Sequence, residues 1–136
     1  ASPRDLVCVA GGSGFAPILS ILRGADAEGM LNERKAYFLF GARNARDVCG
    51  SEEMAALPAF AGAGRFIPIV SEVAEGETWD GPKGFVHTHI ASSLPHPLAV
   101  YEFYFAGPPP MTQAIQELLM IEHKVPFGQI HFDRFF

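Results

Sequence analysis

The sequence predicts an α/β fold in which an open, parallel, five-stranded sheet lies between helices on both faces, in the doubly wound arrangement. Short apolar runs alternate with helix-like segments along the chain, as is typical of such sheets. The first run passes directly into a Gly-rich turn and a helix, and a Gly/Pro turn follows the fourth run. The expected strand order is 3-2-1-4-5, which makes the first and fourth strands neighbours.

Five apolar runs are expected to form the strands. The first, DLVCVA, is short and continuously apolar after its aspartate, as expected for a strand covered on both faces. The third contains Pro68, which cannot donate a ladder hydrogen bond and therefore indicates an edge strand. The predicted strands span residues 5–10, 35–42, 65–72, 100–107 and 129–136.

The segments between the strands carry helix signals. Pro17 falls in the first turn of one helix, where a missing N–H costs little. Ser51 and the two glutamates after it are typical of a helix start. Three consecutive prolines, 108–110, are expected to keep the backbone extended, so that the last helix begins at Met111. The predicted helices span residues 15–29, 51–62, 87–94 and 111–124.

Length and composition restrict the possible functions. The 136 residues suit one domain with a real core, and the net charge of −5 without a basic run argues against nucleic-acid binding. No apolar run approaches the roughly 18–20 residues of a membrane span, and no signal-peptide pattern is expected. The chain has only two cysteines, Cys8 and Cys49, which suits a reducing cytoplasm. The five histidines lack metal-ligand spacing, so no metal site is predicted.

Residues 10–22 read AGGSGFAPILSIL, a strand end, a Gly-rich turn and a helix start. Backbone N–H groups and a helix N-terminus suit a phosphate, and glycines let the backbone approach it closely. Pro17 interrupts the common dinucleotide fingerprint, and the Gly-Lys-Ser/Thr of a P-loop is absent. On this motif alone, a tight turn without a ligand is an equal alternative.

A second turn, YFAGPPPM at residues 104–111, ends the fourth predicted strand. Ligands of parallel sheets bind outside the carboxyl ends of the strands, where the strand order reverses. The two turns would flank that crevice. Together they favour a binding crevice over two purely structural turns.

The sequence resembles a known family at this point. GGSGFAP (11–17), YFLFGARNARD (37–47), VSE...WDGPKGFV (70–86) and YFAGPPPM, in this order, resemble the Rossmann-like pyridine-nucleotide domain of the ferredoxin–NADP reductase family. The nearest likeness is to NADH-dependent reductase components of bacterial multicomponent oxygenases, of the toluene or phenol monooxygenase and ring-hydroxylating dioxygenase types. The resemblance implies that residues 1–136 are the C-terminal, NADH-binding part of a longer flavin reductase, whose flavin-binding barrel and [2Fe–2S] ferredoxin domain are absent from this chain.

The resemblance implies a reaction and partners. Hydride would pass from NADH to FAD, and electrons would then reach an oxygenase for aromatic or hydrocarbon substrates through an iron–sulfur centre. The expected partners are a flavin domain in cis, a ferredoxin domain or protein and the oxygenase component, in a bacterial cytoplasm. The isolated domain would not turn over, because its acceptor is missing. The alternatives are a nucleotide-binding module without a redox partner and an interaction domain that binds no NADH.

The resemblance also implies residue roles. Arg43 would pair with a pyrophosphate oxygen, and Phe135 or Phe136 would lie near the flavin ring, where the nicotinamide must displace the aromatic side chain. The alternative for Arg43 is a solvated loop arginine. The alternative for Phe135 and Phe136 is a place in the core or in a surface patch. Ala106 replaces a cysteine that many members have, which puts a thiol-assisted mechanism in doubt. The implied cofactor-binding residues are Gly11, Gly12, Ser13, Gly14, Ala16, Pro17, Gly41, Arg43, Ser71, Glu72, Ala106, Gly107, Pro108, Pro109, Met111 and Thr112.

Ser71-Glu72 bears on the choice of cofactor. NADP-using relatives have Ser-Arg after the third strand, where the arginine meets the 2′-phosphate. A carboxylate at Glu72 would accept a hydrogen bond from a ribose hydroxyl and repel a nearby phosphate by about 1 kcal/mol or more. NADH is therefore expected over NADPH, with a solvent-facing Glu72 as the alternative.

Overall fold

The structure, a computed structural model, describes residues 3–134. One parallel sheet has the strand order β3-β2-β1-β4-β5, which confirms the predicted fold. The predicted strand residues 135–136 lie outside the described residues. The strands are β1 (Leu6–Gly11), β2 (Ala36–Ala42), β3 (Gly64–Val70), β4 (Glu102–Gly107) and β5 (Ile130–Arg134).

Helices connect the strands. The α-helices are α1 (Phe15–Ala27), α2 (Ser51–Ala55), α3 (Pro58–Ala63), α4 (Ile90–Ser93) and α5 (Pro109–Gln116). Short 3₁₀ turns occupy Gly12–Gly14, Met30–Asn32, Ala45–Asp47, Val86–His89, Leu98–Val100 and Phe127–Gln129, and a π-helical segment, Glu117–Glu122, follows α5. None of the helices in residues 3–134 is both long and apolar enough to cross a membrane.

Two predicted helices differ from the structure around prolines. The helix expected over residues 51–62 is split, because Leu57 is extended before Pro58 and Pro58 begins a new helix. The helix expected from Met111 begins at Pro109, since only Pro108 is extended and prolines fit the first turn, where no N–H is needed. The α2 helix begins at Ser51 as predicted, but Gly50, in the left-handed region, is its N-cap and no side chain caps it.

The sheet separates two hydrophobic cores. Cys8 and Phe38 belong to the core under α1, α2 and α3, while Val9 and Phe105 belong to the core under α4 and α5. All six residues of β1 are buried, as its continuous apolar sequence predicts. The edge position of β3 accommodates Pro68, which confirms that prediction.

The strand order reverses between β1 and β4, and there α1 starts against the end of β4. A Cβ on Gly14 would overlap the main-chain oxygen of Ala106, so this approach requires glycine. The contact brings the Gly-rich turn after β1 beside the proline turn after β4.

Candidate nucleotide-binding cleft

A cleft of about 570 Å³ opens at the carboxyl ends of β1, β2, β3 and β4. Its walls come from the turns that follow these strands and from the start of α5. The lining residues are Gly11, Gly12, Gly41, Ala42, Arg43, Ser71, Glu72, Gly84, Phe85, Val86, His87, Pro108, Pro110, Met111 and Ala114.

Met111 packs between the two turns at the base of the cleft. A Cβ on Gly11 would lie 2.5 Å from the Met111 sulfur, and one on Gly107 would lie 2.5 Å from the Met111 methyl carbon. Larger residues at either glycine would displace this side chain. The two turns identified from the sequence therefore meet at one side chain.

The Gly12 backbone is open to the cleft. Gly12 has φ +54°, a left-handed conformation that favours glycine, and no atom lies within 4 Å of a Cβ built on it. The 13-residue helix α1 begins directly after this turn. An accessible turn at a helix N-terminus is a favourable environment for an anion.

Two opposite charges lie on the rim of the cleft. The Arg43 Nε and a Glu72 carboxylate oxygen are 3.6 Å apart, and both side chains are largely exposed, at 76% and 64%. The main chain beneath them is fixed, because the Glu72 N–H donates to the Arg43 oxygen at 2.7 Å and the buried Asn44 amide donates to the Glu72 oxygen at 2.9 Å. Exposed ion pairs contribute only about 0–1 kcal/mol, so a ligand can separate these two side chains at little cost.

An aromatic pair forms another wall. The Gly84 N–H donates to the Val70 oxygen at 2.9 Å, which returns the polar loop to the sheet. Phe85 follows with 67% of its surface exposed, and its ring stacks with that of His87 at 6.1 Å and 18°. Neither is predicted from the sequence as a site residue, and His87 is considered there only as a metal ligand. The signal was an aromatic residue directly after a Gly-rich loop.

The predicted site residues divide into two groups. Those that line the cleft are Gly11, Gly12, Gly41, Arg43, Ser71, Glu72, Pro108 and Met111. Those outside its lining are Ser13, Gly14, Ala16, Pro17, Ala106, Gly107, Pro109 and Thr112.

The second group includes buried residues that hold the turns in place. Thr112 is fully buried, and its hydroxyl donates to the Pro109 oxygen at 3.1 Å. Phe135 and Phe136 lie outside the described residues. Within residues 3–134 no group of three or more histidine, cysteine or acidic side chains could hold a metal ion.

Comparisons with known proteins show which family the chain belongs to. The chain is 38% identical over 121 residues to the xylene/toluene monooxygenase electron transfer component of Pseudomonas putida, covering 88% of this chain and 33% of that protein. It is 37% identical over 133 residues to the propane 2-monooxygenase reductase component of Mycolicibacterium goodii, covering 96% and 37%. This chain thus spans little more than a third of the length of these relatives.

Solved structures show the same fold. The ferredoxin reductase in carbazole 1,9a-dioxygenase superposes with a TM-score of 0.82 at 31% identity, covering 100% of this chain and 39% of that one. An FAD apo form of a ferredoxin reductase in carbazole 1,9a-dioxygenase superposes with a TM-score of 0.64 at 26% identity, covering 100% and 34%. Residues 8–117 match the family described as the oxidoreductase NAD-binding domain. With the cleft at the reversal of its strand order, this chain belongs to the oxidoreductase NAD-binding domain family.

Proposed function

We propose that residues 1–136 are the NADH-binding domain, and the C-terminal part, of a longer flavin-dependent reductase that supplies electrons to an oxygenase. The observation that carries the proposal is the convergence of three features in one cleft: the open Gly12 turn, the Arg43–Glu72 rim and the Phe85–His87 wall. The volume of about 570 Å³ is in the usual range for a cofactor site.

Each part of a dinucleotide has a suitable counterpart in the cleft. The Gly11–Gly14 turn and the N-terminus of α1 would bind the pyrophosphate, and Arg43 would pair with one of its oxygens once it leaves Glu72. The Glu72 carboxylate would accept a hydrogen bond from an adenosine ribose hydroxyl. The exposed Phe85 ring would stack on the adenine, an interaction worth about 1–3 kcal/mol per base.

At the other end of the cleft, Pro108 and Met111 would orient the nicotinamide. When bound, NADH supplies a hydride to FAD, and this domain contributes position rather than chemistry. Ala106 is 2% exposed and has no thiol, so no proton or electron is routed through it.

The names of the relatives support the partners proposed. They describe reductase and electron transfer components of xylene/toluene, propane and alkene monooxygenases. We place the FAD on a neighbouring domain in cis and a [2Fe–2S] centre on a further domain or a separate ferredoxin, with an oxygenase as the final acceptor. The relatives are bacterial, and Cys8 and Cys49 are both free thiols, which supports a bacterial cytoplasm.

Two glycine variants test the site in the full-length reductase. Gly12 and Gly76 both have positive φ and open space above them, but only Gly12 lines the cleft. Gly12→Val should abolish measurable NADH binding and flavin reduction, whereas Gly76→Val suffers the same kind of backbone strain and should retain both. Equal behaviour of the two variants would refute the cleft as the NADH site. If the unmodified protein fails to bind NADH, the alternative function, an interaction domain that binds no NADH, is favoured instead.

A further inference from the structure

A buried side chain, Asn44, connects the two segments that form the charged rim of the cleft. Asn44 comes directly after Arg43 and is only 8% exposed. Its side-chain amide donates a hydrogen bond to the main-chain oxygen of Glu72 at 2.9 Å. Asn44 does not itself line the cleft, so it can influence a bound nucleotide only through its neighbours.

Both main-chain polar groups of Glu72 are bound by the segment that follows β2. The Glu72 N–H donates to the Arg43 oxygen at 2.7 Å, and the Glu72 oxygen accepts the hydrogen bond from the Asn44 amide. One residue earlier, the Ser71 N–H donates to the Ala42 oxygen at 2.9 Å. The pairing of β2 with β3 is thus extended past both strands, and the Asn44 side chain forms its last link.

The Asn44 end of this link is held in its own turn. Asn44 is the N-cap of the 3₁₀ turn Ala45–Asp47, and its main-chain N–H donates to the Asp47 carboxylate at 3.3 Å. The Asp47 N–H donates to the Asn44 main-chain oxygen at 3.0 Å. The donor that binds Glu72 is therefore attached to a turn that is closed independently of the cleft.

A second contact joins the same two loops outside the lining of the cleft. The Glu77 carboxylate accepts hydrogen bonds from the Ala74 N–H at 3.0 Å and from the Arg46 N–H at 3.3 Å. These bonds do not involve Asn44 or Glu72. Loss of the Asn44 bond would therefore release residue 72 locally, without opening the whole loop.

The side chains on the rim cannot hold this position by themselves. Arg43 and Glu72 are largely exposed, and exposed ion pairs are weak. We propose that Asn44 is a positioning residue for the choice of cofactor: its amide fixes the Glu72 main chain and so keeps the carboxylate on the cleft rim, where it repels a 2′-phosphate. The proposal rests on the proposed function, in which Glu72 meets the adenosine ribose. It adds a residue outside the cleft lining that sets how strongly NADPH is rejected.

Steady-state kinetics of the full-length reductase carrying Asn44→Ser test this role. Serine is as favourable as asparagine before a helical turn, but its shorter side chain loses the bond to Glu72. With the Glu72 carboxylate no longer held on the rim, the ratio of kcat/KM with NADPH to kcat/KM with NADH should rise by about 2- to 10-fold, the range that corresponds to one hydrogen bond. An unchanged ratio would overturn the proposal.

Gln129 provides a matched control, because it is also a buried amide that binds main-chain oxygens. It is 6% exposed and donates to the Ala99 and Tyr101 oxygens at 2.8 and 2.9 Å, but it does not line the cleft. Gln129→Asn shortens the side chain and should lower the melting temperature while leaving the ratio of efficiencies unchanged. The same rise in the ratio for Gln129→Asn would indicate a general loss of stability and overturn the proposal.

The double variant Asn44→Ser/Glu72→Gln shows whether Asn44 acts through the carboxylate. Its ratio should equal that of Glu72→Gln alone, because the charge that Asn44 positions is gone; an equal rise in both backgrounds would overturn the proposal. Hydrogen exchange at the Glu72 N–H, which should be faster in Asn44→Ser, separates the two proposals. Faster exchange in a protein that does not bind NADH would reject only the proposed function. Unchanged exchange in a protein that binds NADH would reject only the positioning role.

Discussion

The Arg43–Glu72 pair predicts that neutralising one carboxylate changes the preference for a cofactor. Glu72→Gln keeps the size of the side chain and an oxygen that accepts a ribose hydrogen bond, but removes the charge. It also frees the Arg43 guanidinium, 3.6 Å away in the pair, to attract a phosphate. The substitution should therefore increase the efficiency with NADPH and leave that with NADH nearly unchanged.

The magnitude follows from the exposure of the site. Because Glu72 is 64% exposed, the appropriate dielectric is close to that of water, where two unit charges at 4 Å interact by about 1 kcal/mol. A 2′-phosphate carries a charge of about −1.5 to −2 at neutral pH, so the repulsion amounts to about 1.5–2 kcal/mol. That energy corresponds to an increase of about 10- to 30-fold in kcat/KM for NADPH.

The assay is steady-state turnover of the full-length reductase with each cofactor at low and high salt. Glu75→Gln is the matched control, since Glu75 is an exposed carboxylate of the same loop that does not line the cleft. The gain at position 72 should shrink in high salt, which screens exposed charges. Equal efficiency of the unmodified enzyme with NADPH and NADH, or no gain in Glu72→Gln, would refute the reasoning.

Three further predictions concern binding and stability. Phe85→Ala should weaken NADH binding by about 5- to 150-fold in a titration, through the loss of about 1–3 kcal/mol of stacking, whereas Phe127→Ala, at an equally exposed phenylalanine, should not. Gly14→Ala should lower the melting temperature by forcing a methyl group onto the end of β4. Gly24→Ala should instead raise the melting temperature slightly, because alanine stabilises a helix by up to about 1 kcal/mol relative to glycine. Burial raises the pKa of Cys8 from 9.0 to about 12, so the unfolded state loses its proton first as the pH rises. The free energy of unfolding should then fall by about 1.4 kcal/mol per pH unit between about pH 9 and pH 12, a contribution that denaturant titrations of Cys8→Ala should lack.

The sequence predicted the two turns because each depends on local chemistry, whereas the predicted strand order followed from the general arrangement of doubly wound sheets. Glycine widens and proline narrows the conformations that the backbone can adopt locally, and a continuous apolar run indicates a buried strand. The start of α5 was not predicted correctly, because Pro109 fits either an extended segment or a first helical turn. Proline fixes its own φ at about −65°, a value that both conformations share, so the ring alone does not choose between them.

The cleft wall was harder to predict. An aromatic residue after a Gly-rich loop is the local signal for Phe85, but it does not place the ring in the cleft; the Gly84 hydrogen bond to the end of β3 does. The pairing of Arg43 with Glu72 likewise joins two strand ends far apart in sequence.

Composition and local pattern were sufficient for the fold class and for the edge of the sheet at which the cleft lies. Both follow from where prolines stiffen the backbone, glycines free it and apolar runs are buried. Which side chains face one another required the folded chain. The Arg43–Glu72 rim, the Phe85–His87 wall and the buried Glu102 with its partners on β5 and before β1 all join distant segments. The strand register and the reversal at β1 and β4 bring these segments together, and the sequence holds no local signal for such contacts.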